Sequence, residues 1–174
     1  MPVFVIAPLT LQEADAARVE TLRRAYDPHV EIVPPHVTLV FALDDAMEDR
    51  AVARARSVAA AFSSIALRFA RATVTRDYEN SAWYLFLMPR EIPAGLAELH
   101  RRLNAGPPLA GPDVAFDAHL SLGRFQERVL AEAVARDVNE EGVNVGARIE
   151  ALTVLRFDGT RVQGRVDLPL GGSV

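Results

Sequence analysis

Two short stretches of the chain interrupt an apolar alternation in the same way. In Pro34-Pro35-His36-Val37-Thr38-Leu39-Val40-Phe41, apolar Val37, Leu39 and Phe41 take every second position, and His36 and Thr38 sit between them. Residues two apart on a strand share a face. The pattern therefore predicts a strand with Val37, Leu39 and Phe41 turned to a core and a histidine and a hydroxyl side by side on the other face. It returns as His119-Leu120-Ser121-Leu122-Gly123-Arg124-Phe125. A single copy carries little weight, but two copies, each expected on a strand, mark a site.

The remaining pattern places these strands among other elements. The apolar run over residues 1–8 predicts a first strand. Thr10, with Glu13 three residues on, reads as a capping box for a helix over 11–25. Asp27-Pro28-His29 ends that helix, residues 30–33 are short and β-branched, and Pro34 and Pro35 hold the chain extended into the histidine strand. Met47, Val52, Ala55, Val58, Ala59 and Phe62 recur at three and four and predict a helix over 44–62. Strict alternation over 65–75 and an apolar run over 81–88 predict a hairpin, with its turn at 77–80. Pro93 opens a helix over 94–104, stopped by Gly106-Pro107-Pro108 at the start of a loop over 105–113. Beyond the second histidine strand come a helix over 126–139 and strands over 145–157 and 160–168, joined by Asp158-Gly159. The tail, 171–174, is expected to fray.

The two halves agree in order: a strand, a helix, a histidine-hydroxyl strand, a second helix and a hairpin. That repetition points to an internal duplication and to one domain, 1–174, of two lobes with a groove between them. Pseudo-symmetry would bring the two motif strands together across the groove.

Composition narrows the chemistry. Hydrophobic residues make up 50% and charged residues 24% of the 174, the balance of a folded domain. With no cysteine, thiolate metal sites, disulfides and cysteine nucleophiles are excluded. All 19 basic residues are arginine, which reads as a genome-composition bias. The net charge of −4 argues against broad, sequence-independent binding of long nucleic acid and leaves room for a small phosphate ligand held by a few local groups. No apolar run is long enough to span a membrane, and the first is too short for a signal peptide, so a cytoplasmic setting is expected.

Histidine, with an ordinary pKa of about 6.5, serves as acid or base near neutrality. His36 and His119 facing one another can divide that labour, one taking a proton from an attacking water or alcohol and the other giving one to a departing oxygen. Thr38 and Ser121 can donate hydrogen bonds to a phosphate between them, and Arg124 can meet its charge. Strict alternation would turn Arg124 away from His119, so its reach requires a strand end, a bulge or a twist at Gly123. No metal or cofactor is needed for this scheme.

The twin motifs His36-Val37-Thr38-Leu39 and His119-Leu120-Ser121-Leu122 resemble those of the two-histidine phosphoesterase superfamily, the group of LigT-like 2′-5′ RNA ligases and 2′,3′-cyclic phosphodiesterases. The resemblance implies an α+β fold of two pseudo-symmetric lobes with antiparallel sheets flanking a central cleft. It also implies His36 and His119 as the acid/base pair and Thr38, Ser121 and Arg124 as phosphate ligands. The expected activity is hydrolysis of 2′,3′-cyclic phosphates to 2′-phosphomonoesters, with a cyclic nucleotide or short RNA end as partner and a monomeric state. End joining on the same site, or a non-catalytic phosphate-binding module, are the rival readings. Tyr84 is the candidate for base stacking, within a Trp83-Tyr84-Phe86 run that packing would also explain. Tyr26 and Tyr78, at element ends, are candidate lid residues, and His29 and His100 read as structural or solvated.

Overall fold

The first apolar run forms strand β1 (Val3–Leu11), which extends beyond the predicted strand and ties the two halves of the molecule together. A computed structural model describes residues 1–77, 81–106 and 116–171. After β1 come α1 (Glu13–Tyr26), β2 (His36–Leu43), a 3-10 turn (Asp45–Met47), α2 (Glu48–Ala60), β3 (Ile65–Asp77) and β4 (Ala82–Pro89). Then follow α3 (Ala94–Leu103), β5 (Leu120–Phe125), α4 (Arg128–Glu140), β6 (Val145–Ile149), β7 (Ala151–Phe157) and β8 (Val162–Pro169). Tyr78-Glu79-Asn80 of the expected turn, most of the 105–113 loop and residues 172–174 of the tail lie outside the described residues. No helix among the described residues is long and apolar enough to cross a membrane.

All strand pairings are antiparallel. The first part of β1 lies between β2 and β7, with β8 beyond β7, making one leaf. Its last residues, Leu9 to Leu11, pair instead with β6, and β3, β4 and β5 continue the second leaf. The expected strand over 145–157 is thus two strands that meet at Glu150, where the chain passes from one leaf to the other. The order strand-helix-strand-helix-strand occurs twice, as β1-α1-β2-α2-β3 and β4-α3-β5-α4-β6. The central β3–β4 hairpin therefore spans the boundary between the repeats and does not close the first of them.

Alternation along β1 is strict. Val3, Val5, Ala7 and Leu9 are buried in the main core, whereas Ile6 packs in a smaller cluster with Val33 and Leu155, flanked by Phe4 and Phe157. The helices supply the apolar stripes that cover the core face: Ala51, Ala55 and Val58 of α2, Leu96, Leu99 and Leu103 of α3, and Ala131, Val134 and Val138 of α4. Each fully buried leucine contributes about 1.5–3 kcal/mol relative to exposure, so this face fixes the leaves and leaves the other free for chemistry.

One local expectation is corrected. Thr10 does not cap α1: the strand continues to Leu11, Gln12 takes the cap position without a side-chain bond, and Thr10 Oγ1 donates to Glu150 Oε2 at 2.9 Å. Non-local pairing with β6 prevails here over a local capping pattern. The short β-branched stretch over 30–33 lies in turns and a bend, where Asp27 Oδ1 accepts from the His29 amide at 2.9 Å and folds the chain back on itself.

A second correction concerns the motifs themselves. Opposite β1, Thr38 pairs with Ile6 and Val40 with Val5, so Leu39 is an extra residue in β2. Leu39 and Val40 are both buried, and Phe41, expected in the core, is 64% exposed on the His36 and Thr38 face. In β5, Ser121 pairs with Phe86 and Gly123 with Leu85, so Leu122 is the extra residue. Leu122 and Gly123 are both buried, and Arg124 returns to the face of His119 and Ser121. Each bulge turns the fifth residue after the histidine toward the cleft.

Gly123 is required at its bulge by close approach. A Cβ there would lie 2.5 Å from Tyr26 Cβ and 3.1 Å from the Phe125 ring. We expect Gly123→Ala to lower stability by about 1–3 kcal/mol through overpacking, read as a lower urea midpoint at unchanged slope. An unchanged midpoint would show that α1 yields without cost.

Candidate active site

The faces left free of the core enclose a cleft of about 310 Å³. Phe4 and Ile6 of β1, Tyr84 and Phe86 of β4 and Leu155 and Phe157 of β7 give it apolar walls. His36, Thr38 and Phe41 enter from β2 and His119, Ser121 and Arg124 from the segment leading through β5, so the structure brings every sequence-expected site residue into one cavity.

The histidines are held alike. His36 Nδ1 lies 2.8 Å from the Pro34 carbonyl oxygen and His119 Nδ1 lies 2.7 Å from that of Asp117. A carbonyl only accepts, so each Nδ1 donates, and Nε2 is the nitrogen left for the cleft. In each case the carbonyl belongs to the residue two before the histidine, so the extended lead-in orients the ring. The Phe86 ring stacks on His119 with centroids 4.0 Å apart, and Tyr84 stacks on Phe86 at 5.5 Å. Neither the Thr38 nor the Ser121 hydroxyl hydrogen-bonds a described residue. Arg124 makes no ion pair among the described residues, and its Nε is buried without a partner.

Sequence reasoning missed Arg23 and Asp27. Arg23, in the last turn of α1, is 2% exposed, pairs with Asp27 at 2.8 Å and donates through Nη2 to the Val33 carbonyl at 2.7 Å. Asp27 also holds the His29 amide, so the pair fastens the whole 27–33 turn that leads to His36. The only signal was an Arg and an Asp four apart, which is equally the mark of a solvated helix pair. Phe41 was missed as a cleft residue because its bulge is set by pairing with β1.

Other aromatic expectations divide. Tyr84 faces the cleft, and Trp83, its neighbour on the opposite face, lies under the guanidiniums of Arg76 and Arg128. Tyr26, a candidate lid, instead packs on Phe125 with centroids 4.8 Å apart. His29 is anchored through Nε2 to the Gly159 carbonyl at 3.0 Å, and His100 stacks on Phe116 at 4.0 Å.

Burial pushes both motif histidines below the ordinary 6.5. The backbone bond to Pro34 opposes this at His36, while the Arg23 guanidinium adds to it and Asp27 counters. At His119 the Asp117 carbonyl bond and carboxylate oppose the burial effect. Burial likewise raises the Tyr84 hydroxyl above its ordinary value. Because the unfolded chain binds more protons in the window below 6.5, these two histidines make stability rise with pH through that window and fall on acidification. Glu98 and Asp158, held at about 2 by hydrogen bonds from Arg101 and from Thr160 respectively, stay ionised throughout it. We expect a lower urea midpoint at pH 5 than at pH 7.5, and imidazole NMR titrations of His36 and His119 below 6.5. A ring titrating above 6.5 in the free protein would contradict this.

Comparison with known proteins gives the same architecture. A family model described as the 2′-5′ RNA ligase superfamily matches residues 11–161. A Halalkalibacterium halodurans protein provisionally named a phosphoesterase is 32% identical over 104 residues, 59% of this chain and 58% of its own length. A similarly named Geobacillus kaustophilus protein is 28% identical over the same share of both chains. These matches span little more than half the length of the relatives. Among solved structures, Kluyveromyces marxianus Usb1 superposes with a TM-score of 0.66 at 15% identity, covering 97% of this chain and 98% of that one. The Thermus thermophilus protein TT0787 gives 0.62 at 16% identity, covering 97% and 98%. E. coli LigT complexed with 3′-AMP gives 0.53 at 16% identity, covering 97% and 99%. The fold is α+β with two antiparallel leaves about a cleft, and with the family model matched over most of its length the chain belongs to the 2′-5′ RNA ligase superfamily.

Proposed function

We propose that the protein is a phosphoesterase that opens 2′,3′-cyclic phosphates, on a nucleotide or at an RNA end, to 2′-phosphomonoesters. The observation that carries this reading is the pair of carbonyl-anchored histidines in one cleft, each offering Nε2 and each followed by an unengaged hydroxyl. Relatives named as phosphoesterases, and the nucleotides in the Usb1 and LigT complexes, support the substrate class.

In this scheme water attacks phosphorus, and neutral His36 takes its proton at Nε2. The P–O3′ bond breaks, His119 gives its Nε2 proton to O3′, and the phosphate stays on O2′. Burial lowers both rings; the Arg23 cation, countered in part by Asp27, disfavours protonation of His36 and the Asp117 carboxylate favours it at His119, which supports His36 as the base and His119 as the acid. Thr38 and Ser121 donate to the non-bridging oxygens, and Arg124, with its buried unpartnered Nε, meets the charge that develops there. The ring of Tyr84, in the Tyr84-Phe86-His119 stack, offers a face to the base. Admission of a 5′-hydroxyl in place of water would run the same groups toward end joining.

Purified protein is expected to hydrolyse a 2′,3′-cyclic nucleotide in the presence of EDTA, leaving the phosphate on O2′. His36→Ala and His119→Ala should each reduce kcat by about 10²–10⁴-fold, and wild-type binding without turnover would instead identify a phosphate-binding module. Because Ser121 stands beside Arg124 and Thr38 beside Phe41, Ser121→Ala should raise KM more than Thr38→Val does. The reverse order would place the main phosphate contact on the first motif.

A further inference from the structure

A second and larger cavity, of about 630 Å³, lies on the sheet away from the cleft. It is bounded by Thr10 and Gln12 at the end of β1, Arg68 of β3, Arg148 of β6, and Arg90 and Glu91 after β4. Pairing of Thr10 with Arg148, of Arg148 with Ala66 and of Arg68 with Gly146 sets these positions on one face, opposite the buried Leu9, Ile65, Leu67 and Ile149. Alternation along β1 makes this the face that carries Ile6 in the cleft. Thr10 lies four positions beyond Ile6, about 13 Å along a strand.

The arginines here, like Arg50, Arg54, Arg56, Arg71, Arg124 and Arg136 elsewhere, make no ion pair among the described residues, whereas nine others do. Arg18, Arg23, Arg24, Arg101, Arg102, Arg128, Arg156, Arg161 and Arg165 all pair with carboxylates. Arg68 and Arg148 donate only to neutral oxygens, Asn144 Oδ1 at 2.9 Å and Ser64 Oγ at 3.0 Å. Those bonds aim the guanidiniums without neutralising them. Arg90 makes no ion pair among the described residues. Glu150, the acid closest in chain to Arg148, accepts from Thr10 Oγ1 and keeps its charge, so with Glu91 the basin sets three cations against two anions.

We infer that this basin binds backbone phosphates of a short single RNA strand whose 3′ end occupies the cleft, so that oligonucleotide ends are preferred to mononucleotides. The inference rests on the proposed cyclic-phosphate chemistry for the strand's polarity, and on the three unpaired arginines for its path. Two guanidiniums held on one sheet face by Asn144 and Ser64, with the exposed Arg90 beside them, suit successive phosphates, since planar N–H forks match phosphate oxygens. The span of about 13 Å corresponds to no more than about four nucleotides at 3.4 Å rise. A net charge of −4 is no obstacle to so short a track, because local unpaired cations act within a Debye length of about 8–10 Å.

The test compares Arg68→Gln, Arg148→Gln, Arg90→Gln and the triple variant with wild type, after thermal melts establish that they fold. Kinetics use a 2′,3′-cyclic mononucleotide and a six-residue RNA ending in a 2′,3′-cyclic phosphate; fluorescence anisotropy measures binding of a 5′-labelled six-residue RNA across a salt series. Wild type should favour the oligonucleotide about tenfold or more in kcat/KM, the triple variant should lose that preference, and mononucleotide turnover should be unchanged. Each substitution should weaken anisotropy binding and lower the salt slope by about 0.7. Salt-dependent, arginine-dependent RNA binding would support the basin even if no cyclic phosphate were turned over. Equal use of both substrates with arginine-independent binding would overturn it and leave the proposed chemistry standing. Equal losses on both substrates would also overturn it, since the arginines would then act on the cleft. Neither binding nor turnover would overturn both readings.

Discussion

One extra residue in each motif strand determines which side chains meet in the cleft. A regular strand from His36 or His119 would send the fifth following residue into the core. The unpaired Leu39 and Leu122 shift the alternation by one, so the histidine, the hydroxyl and the fifth residue share a face. The shift is stable because both residues on either side of it find apolar cover: Leu39 with Val40, and Leu122 with Gly123, are all buried. At the second bulge that cover is α1 itself, with Tyr26 so close that only a glycine fits. The packing of a helix on the outer face thereby sets the position of Arg124 on the inner one.

The same economy of parts governs the protons. The cleft is walled by Phe4, Ile6, Phe86, Leu155 and Phe157, and an apolar wall both strengthens hydrogen bonds and penalises charge. Two histidines in such a place need anchors, and each finds one in the carbonyl of its own lead-in segment. For His36 that segment is itself held by Arg23, which spans from Asp27 to the Val33 carbonyl. Removing Asp27 would strand the buried Arg23 charge, at a cost of about 3–5 kcal/mol, so the turn before His36 depends on both partners.

Much of this was legible in the chain. Alternation exposed both histidine-hydroxyl pairs, and the stop signals around Pro93 and Asp158-Gly159 placed α3 and the last hairpin closely. Arg124 could be assigned to the cleft only on condition of a bulge, and the condition is met. Phe41 was misplaced because nothing local distinguishes Leu39 as the extra residue; that depends on register with β1. Thr10 and Glu13 satisfied a capping pattern, yet Leu9 to Leu11 had β6 to pair with from the far end of the chain. Arg68 and Arg148 looked like ordinary polar positions in alternating strands. That they are neighbours, on the face that carries the cleft, follows from pairing between segments about 80 residues apart, which no composition or net charge encodes.

The repeat accounts for the presence of two histidines but not for a direction of reaction. A cleft with true two-fold symmetry would bind an asymmetric phosphodiester equally well in two orientations, and half of its encounters would present the wrong oxygen to each histidine. The bulges place Phe41 and Arg124 at equivalent positions, so one wall ends in an exposed aromatic ring and the other in a cation. The surroundings of the histidines also differ, with Arg23 and Asp27 near one and Asp117 near the other. An anionic group would therefore meet Arg124 on the β5 side and an apolar one Phe41 on the β2 side. Divergence between the halves, at positions the shared bulge turns inward, would give a pseudo-symmetric fold the means to hold an asymmetric ligand one way round.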